Sequence, residues 1–253
     1  MALTESELAF YREKGYVVKR GLVSRETMQR LAQEIEGLHE KMAACAPPTV
    51  HLSWEEGLAE GRPPKIRQLM HSEKVSPILD AISRSEEVLS VLRQLIGPDV
   101  YLFHSKLMMK AARDGTFTPW HQDWGYWRRG SKEPSHVNCM LAIDPATKEN
   151  GAIRFVEGSH LQGPVDHKNF KSASFSLGLE GGIDAFDSTL VEMEPGDAVF
   201  FGPLVIHGSA PNTSSHDRRA NTFAYDKAGN QVNGEMPDAN LRLRAGKIVE
   251  AAG

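Results

Sequence analysis

Apolar positions along this chain change their spacing near residue 99, from helical to strand-like, and the change divides the sequence into two parts. In the first part, Thr4 with Glu7 reads as a capping box and Leu3 with Leu8 as a hydrophobic staple, so a helix starts there and Gly15 stops it. Tyr16–Lys19 then reads as a strand. Ser24 caps a longer helix whose apolar stripe is Met28, Leu31, Ile35, Leu38 and Met42, at spacings of three and four. Such a stripe is core packing. Residues 46–64 hold four prolines and little periodicity, which predicts a loop and a candidate lid. Short helices fit 76–83, with Pro77 in the first turn, and 86–96, ended by Gly97-Pro98.

From Val100 the alternation is that of strands. Along 100–110, Tyr101, Phe103, Leu107 and Met109 fall on one face, and His104, Lys106 and Lys110 on the other. A polar face on a central strand fits either the mouth of a barrel or solvent. Glu149-Asn150-Gly151, between Met140–Ile143 and Ile153–Val156, predicts a tight hairpin, and Gly158-Ser159-His160 closes its second strand. Residues 161–188 are rich in Gly, Ser and Asp, long for a bare connection, and predict a lid or mobile segment. Glu194-Pro195-Gly196-Asp197 is a turn signal. Ala198–Phe201 follows as an apolar strand, and a second short run delivers His207.

Composition narrows the class. The chain has 253 residues, 40% of them hydrophobic, enough for a sizeable core and compatible with one domain. Its formal charge of −4 comes from 29 basic and 33 acidic residues without blocks of one sign, unlike the basic footprint of a nucleic-acid binder. Two cysteines, Cys45 and Cys139, make neither a disulfide scaffold nor a C-x-x-C motif. The N-terminus lacks the charged and apolar regions of a signal peptide, and Ala-Ala-Gly at the C-terminus is not a peroxisomal address. No apolar run approaches the ~20 residues of a spanning helix. A soluble, cytoplasmic protein is expected, with no membrane or nucleic-acid partner.

The chemistry lies in His121-Gln122-Asp123 and the distant His207. Alternate residues of a strand share a face, so His121 and Asp123 can reach one metal while Gln122 points away or sits beside it. With His207 they compose the 2-His-1-carboxylate facial triad that holds Fe(II) and leaves positions open. H-x-D alone is common, and a lone histidine is more often structural than a ligand; the context decides. Arg218, eleven positions after His207, offers a planar fork for a carboxylate, and Ser209 a hydroxyl. Arg219 is adjacent and would point to the opposite face of a strand, so only one of the two can serve, and the other would be a surface residue. Lys106 is a further candidate for a carboxylate.

These segments resemble the phytanoyl-CoA dioxygenase family of Fe(II)- and 2-oxoglutarate-dependent oxygenases. The resemblance runs over most of the chain, through Leu8–Val18, His121-Gln122-Asp123, Asn150–Ile153 with Gly158-Ser159-His160, Pro195-Gly196-Asp197 and the segment from His207 to Arg218. It implies a mainly β protein with flanking helices. A double-stranded β-helix (jelly-roll or cupin) core would span 99–230, with a helix-rich part over 1–98 and a tail over 231–253. It implies His121, Asp123 and His207 as catalytic iron ligands, and Gln122, Ser209 and Arg218 as contacts to 2-oxoglutarate. Met140 stands where many members place an aromatic residue beside that cosubstrate, and Glu157 where a proline often precedes Gly-Ser-His. The implied reaction uses Fe(II), 2-oxoglutarate and O2 to hydroxylate an unactivated C–H of a small molecule, releasing succinate and CO2. Halogenating relatives lack the carboxylate, so an intact Asp123 favours hydroxylation.

Substrate identity is not legible. Trp120, Trp124, Tyr126 and Trp127 either line a pocket, where cation–π contact is available, or pack the barrel rim; the last three are candidates for substrate contact. Arg128 and Arg129 read as a solvated loop, and His104, His136, His160, His167 and His216 as surface or structural residues. Two other classes keep the fold: a non-catalytic cupin-like binding or sensor protein, which would be signalled by loss of a triad residue or Arg218, and a cupin-type isomerase, which does not require that arginine.

Overall fold

The computed structural model describes residues 2–170, 174–234 and 236–250. In chain order it contains α1 (Glu5–Lys14), β1 (Tyr16–Lys19), α2 (Arg25–Ala44), β2 (Leu52–Trp54), β3 (Ile66–Met70), α3 (Pro77–Ser83), α4 (Glu86–Leu95), β4 (Val100–Lys110) and β5 (Thr118–His121). There follow α5 (Trp124–Trp127), β6 (Val137–Ala142), β7 (Ile153–Phe155), β8 (Lys168–Asn169), β9 (Leu177–Gly178) and β10 (Thr189–Leu190). The chain closes with β11 (Ala198–Phe201), β12 (His207–Ser209), β13 (Arg218–Lys227), β14 (Leu241–Arg244) and β15 (Lys247–Ile248).

Local chemistry fixes the helices. Both hydrogen bonds of the Thr4/Glu7 capping box form, and Gly15 ends α1 at φ 89°, a conformation that favours glycine. Ser24, Ser76 and Ser85 each accept the third amide of the helix they cap.

Two antiparallel sheets face one another. The major sheet runs β1-β11-β6-β13-β4-β14-β15, with β3 beside β4 and β2 beside β3; the minor sheet runs β10-β7-β12-β5. This is the double-stranded β-helix. Along β13 the outer residues Phe223 and Tyr225 join the stripes of α2 and α4 in one apolar cluster, which extends from Leu3 to Leu243. Between the sheets, Met140, Ile153, Phe155, Phe201 and Ala220 form a second cluster.

Four expectations change. β4 carries a bulge at Phe103, where the register to β13 slips, so Val100 and Leu102 share the outer core with Leu107 and Met109 while Phe103 packs on Trp124 and Trp127. The turn at Asn150-Gly151 is real, but it joins no hairpin: β6 belongs to the major sheet and β7 to the minor. The proline-rich stretch 46–64 contains β2, which pairs with β3 as a sheet edge. Residues 231–253 contribute β14 and β15, with Leu241 and Leu243 buried against the major sheet. The long segment 161–188 includes the small β8–β9 pair, and its residues 171–173 lie outside the described residues.

Candidate metal centre and active site

His121 ends β5, His207 opens β12, and the two face each other in register across the minor sheet. Asp123 is not on a strand: it has helical angles, φ −59° and ψ −29°, and opens α5. The turn still delivers its carboxylate. Asp123 Oδ1 lies 3.7 Å from His121 Nε2 and Oδ2 lies 3.8 Å from His207 Nε2. One ligand atom from each of the three residues lies within 4.8 Å of the others, and all three side chains are buried.

The surroundings set the donor atoms. His121 Nδ1 donates to the Pro119 carbonyl at 2.8 Å and His207 Nδ1 to the Val205 carbonyl at 3.0 Å, which leaves both Nε2 atoms with lone pairs toward Asp123. Burial, together with the neighbouring His121, pushes His207 down to about 3, so its imidazole is neutral. Burial alone would raise the Asp123 carboxyl. The adjacent His121 and His207 rings and the Lys106 ammonium outweigh it and hold the group well below the usual carboxylate range. Asn138 Nδ2 donates to Asp123 Oδ2 at 2.8 Å and orients it. Two neutral imidazoles and one anionic oxygen converging on a point are the donor chemistry that Fe(II) accepts.

The triad opens into a cavity between the sheets. At one end Arg218 is fully buried. Its Nη2 donates to the Gly151 carbonyl at 3.0 Å, while Nε has no partner among the described residues. Burial and the nearby Arg67 lower its pKa to about 10, so the guanidinium stays charged at neutral pH. Lys110, opposite Arg218 in the register, donates to the Ala210 carbonyl. Burial and the two arginines push its pKa well down. Ser209, Thr118, Met108 and Ile153 complete this end, and Lys106, Met140, Thr222 and Phe175 line the cavity with them.

Other expected residues lie elsewhere. Gln122 is not among the described residues that line the cavity, as the alternation allowed. Its Nε2 donates to the Gly163 and Leu204 carbonyls and its Oε1 accepts from Val165 N, so the amide is used in holding the 161–167 segment. Trp124, Tyr126 and Trp127 are not among the described residues that line the cavity. The helical turn of α5 carries both tryptophans into a cluster with Phe103 and Ala224. Tyr126 Oη both donates to Leu177 O and accepts from Leu177 N, fixing β9 instead. Trp120 is buried and donates to the Gly182 carbonyl. Arg219 is no free surface residue: its fork grips Asp144 at 2.8 and 2.7 Å.

Arg67 and Asn138 escaped the sequence reading. Arg67 comes from β3, where no motif marks it, and it ion-pairs with buried Glu55 at 3.8 Å. The only sequence signal for Asn138 was a polar residue inside an apolar strand.

A family model described as Phytanoyl-CoA dioxygenase (PhyH) matches residues 11–220. An L-proline trans-4-hydroxylase of Streptomyces griseoviridis is 27% identical, over 87% of this chain and 85% of the relative. An ectoine dioxygenase of Bordetella parapertussis is 26% identical, over 92% and 78%. Among solved structures, EctD from S. alaskensis with 2-oxoglutarate and 5-hydroxyectoine superposes with a TM-score of 0.72 at 19% identity, covering 99% of this chain and 82% of that one.

Proposed function

Because the chain belongs to the phytanoyl-CoA dioxygenase family, we propose that it is an Fe(II)- and 2-oxoglutarate-dependent dioxygenase that hydroxylates an unactivated C–H of a small molecule. The observation that carries this reading is the convergence of His121, Asp123 and His207 in a cavity with a buried, charged Arg218 at its end. The similar proteins named above include hydroxylases and dioxygenases of proline and ectoine, which supports a small-molecule substrate. A single dioxygenase domain working in the cytoplasm completes the reading; among the described residues no helix is long and apolar enough to cross a membrane.

His121, Asp123 and His207 are the residues that would hold iron, and Arg218, with Ser209 and Arg67, the far carboxylate of 2-oxoglutarate. When bound, iron, 2-oxoglutarate and O2 supply oxidation of C–H to C–OH with release of succinate and CO2. The chain's own residues orient and exclude. Pro119 O and Val205 O fix the two imidazoles, and Asn138 fixes the carboxylate. Arg218 offers a fork whose geometry matches a carboxylate bidentately, with one donor already unpaired. Met140, Ile153, Phe175 and Phe201 form apolar walls that keep water from the centre.

Anaerobic titration with Fe(II) and then 2-oxoglutarate tests the reading. The wild type should develop the weak visible absorption of an iron–2-oxoacid chelate. His121→Ala, Asp123→Ala and His207→Ala should lose that band and metal content while circular dichroism stays native, because the apolar clusters close the fold without iron. A chelate band of wild-type strength in the triple variant would remove the metal assignment.

A further inference from the structure

Lys106 faces the cavity without an obvious counterion. It is half-buried and lines the wall, yet it makes no hydrogen bond or ion pair with any described residue. Its place on the sheet separates it from the carboxylate end. Across β13, Lys110 pairs with Arg218 and Lys106 with Thr222, four residues further along the strand. At ~3.3 Å per residue the two lysines start about 13 Å apart. Lys106 therefore stands toward Asp123, which lines the same cavity.

Charge balance then isolates this ammonium. A dipositive iron is offset by Asp123 and one carboxylate of 2-oxoglutarate, and the second carboxylate by Arg218. Arg67 has Glu55. Lys110 is pressed toward its uncharged form by burial and two guanidiniums. Lys106 remains as surplus positive charge in a cavity lined by one carboxylate residue, and an unpaired, partly desolvated ammonium is unfavourable.

A second unsatisfied group stands close by. Asn138 is fully buried, spends Nδ2 on Asp123, and leaves Oδ1 without a partner. On the sheet it faces Ala224, one cross-strand row beyond the row of Lys106, Thr222 and Met140. This wall thus presents one cation and one orphaned acceptor, with Met140, Phe175 and Phe201 as apolar flanks.

Resting on the dioxygenase reading, we propose that Lys106 is a specificity residue for the primary substrate rather than a cosubstrate contact. The substrate class is a compact carboxylate that also carries an N–H or O–H donor for Asn138 Oδ1. Lys106 pairs the substrate carboxylate, and the orphaned amide oxygen fixes the donor, so the C–H between or beside them is turned to the metal centre.

The test uses the anaerobic Fe(II)–2-oxoglutarate holoprotein and follows its visible band. N-acetylglycine and acetate are titrated against N-acetylglycinamide and acetamide, in wild type, Lys106→Met and Lys106→Arg. The acids should perturb the wild-type band at least tenfold more tightly than their amides. Lys106→Met should abolish that preference and Lys106→Arg restore it. The 2-oxoglutarate affinity of Lys106→Met should stay within about twofold of wild type. Three results overturn the proposal: acids and amides acting alike or not at all in wild type, an acid preference that survives in Lys106→Met, or a tenfold loss of 2-oxoglutarate affinity in that variant. A wild type that never forms the band overturns the dioxygenase reading instead.

Discussion

Arg218 and Arg219 are chain neighbours with opposite roles, and their difference comes from strand alternation. Arg218 points between the sheets, near Lys110 and Arg67, with an Nε that has no partner among the described residues. Arg219 points to α2, grips Asp144 bidentately and donates to the Ala32 carbonyl. Losing one partner of a buried, hydrogen-bonded charge pair costs about 2–5 kcal/mol, a factor of roughly 30 to several thousand. Arg218→Ala should therefore weaken 2-oxoglutarate binding by at least about 30-fold with little change in melting temperature. Arg219→Ala should leave that binding near wild type and lower the melting temperature. Chelate titrations and thermal melts of the two variants decide it; the reverse pattern would mean that the cosubstrate lies on the other face of β13. The parity of this pair was legible in the sequence because side-chain direction along a strand needs only counting; the triad was legible from its residue types, since a turn and not a strand presents Asp123. What Arg219 touches was not legible, since Asp144 and Ala32 come from elements brought to it by the fold.

At the scale of elements, what failed in the sequence was pairing between segments. A bulge at Phe103 reverses the parity of β4 halfway along, and an eleven-residue alternating run does not reveal where one residue is extra. β3 gave no signal because five residues with an arginine inside are too short a run to show a period, yet it supplies Arg67 to the cavity. The turn at Asn150-Gly151 was visible, but the strands it joins diverge into different sheets. That divergence gives Gly151 its function. It sits at φ 76°, its carbonyl receives Arg218, and an added Cβ would lie 2.3 Å from the Ala210 carbonyl and 3.0 Å from Lys110 Nζ. A left-handed backbone costs an alanine about 1–2 kcal/mol before any clash is counted. In Gly151→Ala the turn must move away from Ala210, and Arg218 loses its anchor. The expected outcome is a melting temperature lowered by several degrees together with weaker 2-oxoglutarate binding. Unchanged 2-oxoglutarate affinity would show that Arg218 is positioned without this carbonyl.

For the whole molecule, two facing sheets place the triad and the carboxylate end within one cavity, and this enclosure governs the product. The minor sheet holds both histidines, the major sheet holds Arg218, Lys106 and Asn138, and the space between them has apolar walls. Tyr126 fastens β9 so that Phe175 lies over His121, with ring centroids 5.4 Å apart. Phe175 thereby covers one side of the centre. Asp123, held by Asn138, keeps an anionic protein oxygen at the position where halogenating relatives accept halide. The product should therefore gain one oxygen atom from O2, with one succinate formed per turnover and no halogen incorporated. Turnover of a substrate under 18O2 in chloride buffer, followed by mass analysis, distinguishes the outcomes. One 18O per product fits an enclosed site with Asp123 in its assigned role. A chlorinated product would contradict that role, whereas an unlabelled product would mean that water reaches the centre or that the reaction is not an oxygen insertion.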